Sequence, residues 1–210
     1  MKNSTPKQFL SINKEPILLH SLRKFDGIYK KMKLIVVLPN KYISIWEELC
    51  EKYSINISHN TVAGGRTRFH SVKNALDSIK NKSGLVAIHD AVRPFVSKRL
   101  IKRIFIESKK KSCVIPVVNL NSSIRKVHSN KNINIERSNL KIVQTPQCFR
   151  LSLIKKAYEQ DYKKCFTDDA TVLEKMGYNV NLIKGEENNF KITNMHDLNH
   201  AEWLSQNISK

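Results

Sequence analysis

The sequence holds no run of eighteen or more apolar residues, so no membrane-crossing helix is expected. Its opening residues, MKNSTPKQFL, lack the apolar stretch of a secretory signal. The four cysteines, Cys50, Cys113, Cys148 and Cys165, are scattered, with no CxxC pair and no Cys/His spacing suited to a metal. Reduced thiols in a cytoplasmic protein are therefore expected, rather than a disulfide framework. There is no internal repeat, heptad run or low-complexity linker. Acidic residues are scarce: 18 stand against 37 basic ones, for a formal net charge of +19.

That excess of positive charge raises the question of a nucleic-acid partner. The basic residues are mostly Lys and spread along the whole chain, not gathered in one arm or patch. Arg, the usual reader of base edges, is comparatively sparse. No RNP-type aromatic signature or helix-turn-helix is present. Abundant Lys, Asn and Ile together are what an AT-rich genome produces through its codons. Neither a nucleic-acid nor a membrane partner is expected, while a positive field suits anionic small molecules such as nucleotides and sugar phosphates.

The 210 residues fit one domain, 1–210. Lys33 to Leu38 reads as a buried strand ended by Pro39-Asn40. Ile43 to Tyr53 reads as a helix with Ile43, Trp46, Leu49 and Cys50 on one face. Arg68 to Ile79 is a second helix, with Val72, Leu76 and Ile79 inward. Leu85 to Ile88 is a strand, followed by a helix from Ser97 to Ser108 capped by Ser97, and Cys113 to Val118 is another strand. Helices near Leu151 to Asp161 and Asp168 to Met176, a strand at Val180 to Ile183 and a terminal helix from Met195 complete the pattern. Such alternation predicts an α/β fold with a mostly parallel sheet and helices on both faces.

Residues Ser123 to Val143 break the alternation. Ser123 to Val127 and Ile133 to Lys141 read as two β segments around the polar turn Ser129-Asn130-Lys131-Asn132. This arm, about 120–143, fits either a dimerisation element or an edge hairpin packed on its own domain. The front is also unusual. Doubly wound domains open with a strand feeding a ligand loop, yet the first credible strand here begins at Lys33 and no glycine precedes Gly27.

Several short blocks can carry chemistry. Pro6-Lys7-Gln8-Phe9-Leu10 offers a lysine. Gly64-Gly65-Arg66-Thr67-Arg68-Phe69-His70-Ser71-Val72 places paired glycines ahead of a helix, where backbone amides can approach a base or phosphate. His89-Asp90-Ala91-Val92-Arg93-Pro94 follows a strand at its carboxyl end, the ligand-binding edge of open α/β sheets. There Asp90 suits hydroxyls or Mg²⁺ and Arg93 suits phosphate, although the two can also simply pair. His89 reads as a packing or hydrogen-bonding histidine. Gln144-Thr145-Pro146-Gln147, Thr167-Asp168-Asp169-Ala170 and Asn189-Phe190-Lys191-Ile192-Thr193 follow. Each alone has an ordinary explanation, such as a turn, a helix cap or a solvated lysine.

In this order and spacing the blocks resemble the 2-C-methyl-D-erythritol 4-phosphate cytidylyltransferase family from Pro6 to about Ala201. The related ribitol-5-phosphate cytidylyltransferases share PKQFL, HDAVRP and QTPQ, whereas TDDA and Ser123 to Val127 look closer to the methylerythritol enzymes. The resemblance implies a Rossmann-like nucleotidyltransferase fold and transfer of CMP from CTP to methylerythritol phosphate with Mg²⁺ and release of pyrophosphate. It implies a homodimer clasped through the β-arm. Lys7 matches the lysine beside the nucleotide phosphates, and Gly64, Gly65 and Ser71 match the cytosine-reading turn, with Ala91 near the ribose. Asp90, Arg93, Thr145 and Thr167 match the methylerythritol phosphate pocket. Arg137 and Lys191 match the basic pair that positions the attacking phosphate, Arg137 reaching into the neighbouring subunit. No protein side chain is implied as a metal ligand.

Three departures from the family pattern stand out. The opening strand and its AAG-x-G-x-R-M loop do not occur, and Met1 aligns with the methionine that closes that loop. The expectation is a translation start assigned one methionine too late, the alternative a truncated, inactive remnant. The DNA upstream of the Met1 codon separates them. Arg66-Thr67 replaces an acidic or polar pair after the glycines, and Ser122-Ser123 replaces an Asp-Thr pair before the arm.

Overall fold

The computed structural model describes residues 6–207; Met1 lies outside the described residues. Its first elements are ones that hydrophobic periodicity missed. A small hairpin, β1 (Ser11–Ile12) and β2 (Glu15–Pro16), turns through Asn13 and Lys14, both at positive φ (48° and 67°). That is the backbone a two-residue hairpin loop requires. Pro16 then caps α1 (Ile17–Phe25), where its missing N–H and fixed φ are tolerated. Ile17, Leu18, Leu19 and Leu22 are buried on α1.

The expected elements follow, with small shifts at their ends, and with one strand, β4, that the sequence pattern did not predict: β3 (Ile35–Leu38), α2 (Ile43–Lys52), β4 (Asn60–Ala63), α3 (Arg68–Ser78), β5 (Leu85–Ile88), α4 (Lys98–Lys110) and β6 (Cys113–Asn119). Three helix starts have chemical stops. The Thr67 side chain accepts from the His70 N–H, and the Ser97 side chain accepts from the Leu100 N–H. Ahead of the later helix α6, Asp168 accepts from the Thr171 N–H while the Thr171 hydroxyl sits within 3.3 Å of the Asp168 N–H, a capping box.

The arm departs from its expected boundaries. Strands β7 (Ile124–His128) and β8 (Lys131–Ile135) close around only Ser129 and Asn130, with His128 facing Lys131. Ser129 takes φ 51°, so the tight loop needs none of the extra turn residues expected. The second segment does not run on to Lys141. It breaks at a 3-10 turn, Arg137–Asn139, before β9 (Lys141–Val143) rejoins β6. Beyond it lie β10 (Gln147–Arg150), α5 (Leu151–Ala157), α6 (Asp169–Glu174), β11 (Asn181–Lys184) and α7 (Met195–Asn207).

The sheet is mixed. Strands β5, β6 and β11 share one direction, but β10 lies reversed between β5 and β6, and β9 adds antiparallel to β6. Parallel neighbours therefore occur only at β11–β6 and in the separate pair β3–β4 among the described residues. An α/β layout with helices on both faces holds. Alternation along each strand divides the faces. Val86, Ile88 and Phe149 join Phe69, Leu76, Leu151, Ile154 and Leu173 under α3, α5 and α6. Leu85, Ala87 and Cys148 join Leu100, Ile101 and Ile104 under α4. Each such aliphatic side chain, fully buried, contributes about 1.5–3 kcal/mol. Strand β3, paired with β4, has its own core with α1 and α2, in which Trp46 is fully buried and donates to His59 Nε2 at 2.9 Å.

Candidate active site

Strand β5 ends at Ile88, and the next residues turn back sharply, with the Arg93 N–H on the Asp90 carbonyl at 3.0 Å. A hydrogen-bonded chain locks this turn to the loop before β10. The Asp90 N–H donates to Thr145 Oγ1 at 3.0 Å, Thr145 Oγ1 lies 3.1 Å from His89 Nδ1, and His89 Nε2 lies 3.0 Å from the Arg93 carbonyl. A carbonyl only accepts, so Nε2 carries the ring proton and Nδ1 accepts from the Thr145 hydroxyl. Burial, the largest influence on His89, lowers its pKa to about 4, so the ring is neutral near pH 7. His89 therefore holds the loop in place, as the sequence suggested.

The Asp90 carboxylate is the centre of the site. Its Oδ2 faces Lys191 Nζ at 3.1 Å and Arg93 Nε at 3.5 Å, and its Oδ1 faces Arg68 Nε at 3.7 Å. Burial works to raise its pKa, but Lys191, Arg68 and Arg93 outweigh burial and hold it below the usual carboxylate value. Arg93 is itself buried and gives its remaining donors to the carbonyls of Asn189 (2.8 Å) and Val143 (3.4 Å). Three cations around one carboxylate leave an excess of positive charge, and the half-open Lys191 side chain, 43% exposed, presents it to solvent. Such a cluster receives an anion. Lys7, arriving from the front of the chain, donates to the Thr193 carbonyl and so joins the Lys191–Thr193 segment.

The paired glycines form a cradle beside this cluster. The Gly64 N–H bonds the Leu38 carbonyl at 2.8 Å, and the Gly65 N–H bonds Ser71 Oγ at 3.1 Å. A Cβ on Gly64 would stand 2.9 Å from Ser71 Oγ, and one on Gly65 would stand 2.4 Å from His70 Cβ, so neither position admits a side chain as built. Arg66 donates to His70 Nε2 at 3.3 Å, while His70 Nδ1 lies 2.8 Å from Thr67 Oγ1.

The structure thus brings Asp90, Arg93, Thr145 and Lys191 together, sets Lys7 on the same segment as Lys191, and places Gly64, Gly65 and Ser71 in one turn. Ala91 packs against the β3 core, its carbonyl accepting from Ser21 Oγ at 2.6 Å. Thr167 is exposed one residue before the Asp168 cap. Arg137 is not part of the cluster: it sits on the arm and donates to the Asn121 carbonyl. A cleft of about 840 Å³ lies at the root of the arm between Phe95, Asn119, Lys141 and Glu186, and no residue of the Asp90 cluster lines it.

Sequence reasoning missed four supporting residues. Buried Asn189 donates to the Thr145 carbonyl at 2.8 Å. Gln144 donates to the Glu186 carbonyl at 2.8 Å, and Gln147 donates to Asp168 at 2.7 Å. Arg68 meets both Asp90 and Asp169. All stand inside the quoted blocks, so the blocks carried the signal while the individual roles required the fold. No group of three His, Cys, Asp or Glu suited to a metal occurs among the described residues, and Asp90 is already surrounded by cations.

A mixed α/β sheet with an anion-receiving loop at a strand's carboxyl end and a glycine cradle beside it defines a Rossmann-like nucleotidyltransferase. The chain belongs to the 2-C-methyl-D-erythritol 4-phosphate cytidylyltransferase family, whose sequence model matches residues 1–207. The enzyme of that name from Bacteroides fragilis is 44% identical over 204 residues, covering 97% of this chain and 93% of the relative. That from Phocaeicola vulgatus is 41% identical over the same shares. Among solved structures, the Thermus thermophilus enzyme superposes with a TM-score of 0.80 at 27% identity, covering 96% of this chain and 94% of that one. The 4-diphosphocytidyl-2C-methyl-D-erythritol synthase of Anaerococcus prevotii gives 0.82 at 26%, covering 93% and 88%.

Proposed function

We propose that the chain transfers CMP from CTP to the phosphate of 2-C-methyl-D-erythritol 4-phosphate, releasing pyrophosphate, in isoprenoid precursor synthesis. The observation that carries this reading is the cationic cluster of Arg68, Arg93 and Lys191 on Asp90, beside the glycine cradle. A phosphate oxygen of the sugar alcohol attacks the α-phosphorus of CTP. A new P–O bond forms there as the bond to the bridging oxygen breaks and pyrophosphate leaves. With a second pKa near 6, the attacking phosphate is already mostly ionised at neutral pH. It requires no strong general base, in keeping with a neutral, buried His89. Catalysis then rests on alignment and on cations facing the charge that gathers on the phosphoryl oxygens.

In this reading Lys7 faces the nucleotide phosphates, Gly64, Gly65 and Ser71 hold the cytosine, and Ala91 borders the ribose. Asp90, Arg93, Thr145 and Thr167 receive the sugar-alcohol phosphate, and Lys191 positions its phosphate. Arg137 completes the pair from the arm of a second subunit. The arm's exposed apolar side chains, Val127 (70%) and Ile133 (58%), support a homodimer. We place the reaction in the cytoplasm. A divalent ion would enter with the triphosphate, since Mg²⁺ commonly pairs a few protein oxygens with substrate phosphates.

The test is pyrophosphate release with CTP, Mg²⁺ and methylerythritol phosphate, against ribitol 5-phosphate. It is run on the 210-residue chain and on a chain extended by whatever the upstream frame encodes. Turnover with methylerythritol phosphate is expected, and a preference for ribitol 5-phosphate would overturn the substrate assignment. Variants discussed below are made in the form that turns over.

A further inference from the structure

Arg68 begins α3 immediately after its cap Thr67 and the glycine cradle. Its Nη1 and Nη2 donate to the two oxygens of Asp169 at 2.9 and 2.6 Å. Asp169 is fully buried at the start of α6, and the Tyr158 hydroxyl donates to its Oδ1 at 2.5 Å. Burial works to lower the pKa of Arg68, but Asp169 outweighs it and the guanidinium stays charged. Burial and then Asp169 raise the Tyr158 phenol, which remains protonated and donating.

A buried carboxylate with three such bonds sits where its partners put it, and it holds the Arg68 fork in one orientation. The third edge of that fork, Nε, lies 3.7 Å from Asp90 Oδ1. Lys191 and Arg93 both approach the other oxygen, Oδ2. Arg68 thus makes its closest approach to Oδ1, opposite the oxygen that Lys191 and Arg93 approach most closely, and it bears on the rotation of the carboxylate that they share. The cation comes from the base side of the site and acts on the sugar-phosphate side.

We propose that Arg68, clamped by Asp169 and Tyr158, is a positioning residue for the reaction: it orients Asp90, and through Asp90 the Lys191 and Arg93 cations that receive the sugar-alcohol phosphate. This rests on the substrate assignment above. An Arg68 that only braced α3 against α6 would affect stability alone, so the two roles separate by kinetics.

The experiment compares Arg68→Lys, Asp90→Asn, their combination, and Tyr158→Phe, with thermal midpoints measured alongside. Lysine keeps the charge but not the fork. Arg68→Lys is expected to raise KM for methylerythritol phosphate roughly tenfold or more while KM for CTP stays within about threefold. The double variant should be no more than about twofold worse than Asp90→Asn alone, because the effect passes through Asp90. Tyr158→Phe, which keeps the packing, should move KM for methylerythritol phosphate in the same direction by about two- to fivefold. An unchanged KM in folded Arg68→Lys, or a double variant whose losses multiply, would overturn the inference. If Arg68→Lys does not fold, Tyr158→Phe combined with Asp90→Asn decides by the same criterion. A wild-type enzyme inactive on methylerythritol phosphate would defeat the substrate assignment instead, leaving the two failures distinct.

Discussion

Strands β5 and β6 both run antiparallel to β10, so their carboxyl ends leave the same edge of the sheet, yet they open into opposite kinds of structure. After β5 the chain enters the Asp90 loop, where backbone, hydroxyl, imidazole and three cations are tied together. After β6 it enters the arm, whose strands bond chiefly to each other and expose Val127 and Ile133. The first loop is assembled within one chain, where three cations meet on the Asp90 carboxylate and leave positive charge over for an anion. The second leaves the apolar side chains Val127 and Ile133 exposed, the surface on which the proposed second subunit would pack.

The largest effect should come from breaking the first region. Lys7→Ala is expected to lower kcat and kcat/KM together by roughly a hundredfold or more, as for a group acting in the transition state. Lys191→Ala should also raise KM for methylerythritol phosphate. Steady-state kinetics check both, and ordinary kinetics in Lys191→Ala would remove that residue from the site.

Packing under the loops gives the next effect. Ile104, on the sheet-facing side of α4, is fully buried, so Ile104→Ala should destabilise the fold by about 2–5 kcal/mol in denaturant titration. Val127→Ser, on the exposed arm, should change monomer stability by no more than about 0.5 kcal/mol. Equal losses would mean that the arm is packed on its own chain.

The buried histidine ties stability to pH. The folded-state pKa of His89 is about 4, against an unfolded value near 6.5, so the unfolded chain binds the extra proton first. Stability should fall as pH drops from about 6.5 towards 4, by up to roughly 3 kcal/mol. Asp90, with its lowered pKa, contributes stability above the ordinary carboxylate value and loses it at still lower pH. Thermal midpoints across this range check the sign, and His89→Gln should flatten the upper part of the slope.

The subtlest test concerns the arm. If Arg137 serves a second subunit, mixing Arg137→Ala with Lys7→Ala chains should restore part of the activity lost by each. No recovery in chains shown to co-assemble would return Arg137 to its own subunit.

Much of this was readable beforehand where chemistry is local. Ser97 caps a helix because its side-chain oxygen reaches an N–H three residues on, and Ile43, Trp46, Leu49 and Cys50 share a face because of helical period. The front was not readable. The Asn13-Lys14 turn uses two positive φ values without glycine, and the Pro16 start of α1 carries no side-chain cap. The reversed placement of β10 was also invisible, since a short apolar strand reads alike in either direction.

Residue types and their spacing alone determined the α/β pattern, the glycine cradle, the HDAVRP and TDDA blocks and hence the family. These depend on contacts within a few residues or on motifs that chemistry constrains directly. Only the tertiary structure decided that Asp90 carries three cations drawn from positions 68, 93 and 191, and that Arg68 is clamped by Asp169 about a hundred residues away. The physical reason is that a buried charge must be paired, and which partner pairs it depends on how the sheet brings distant loops together rather than on any local preference of the chain.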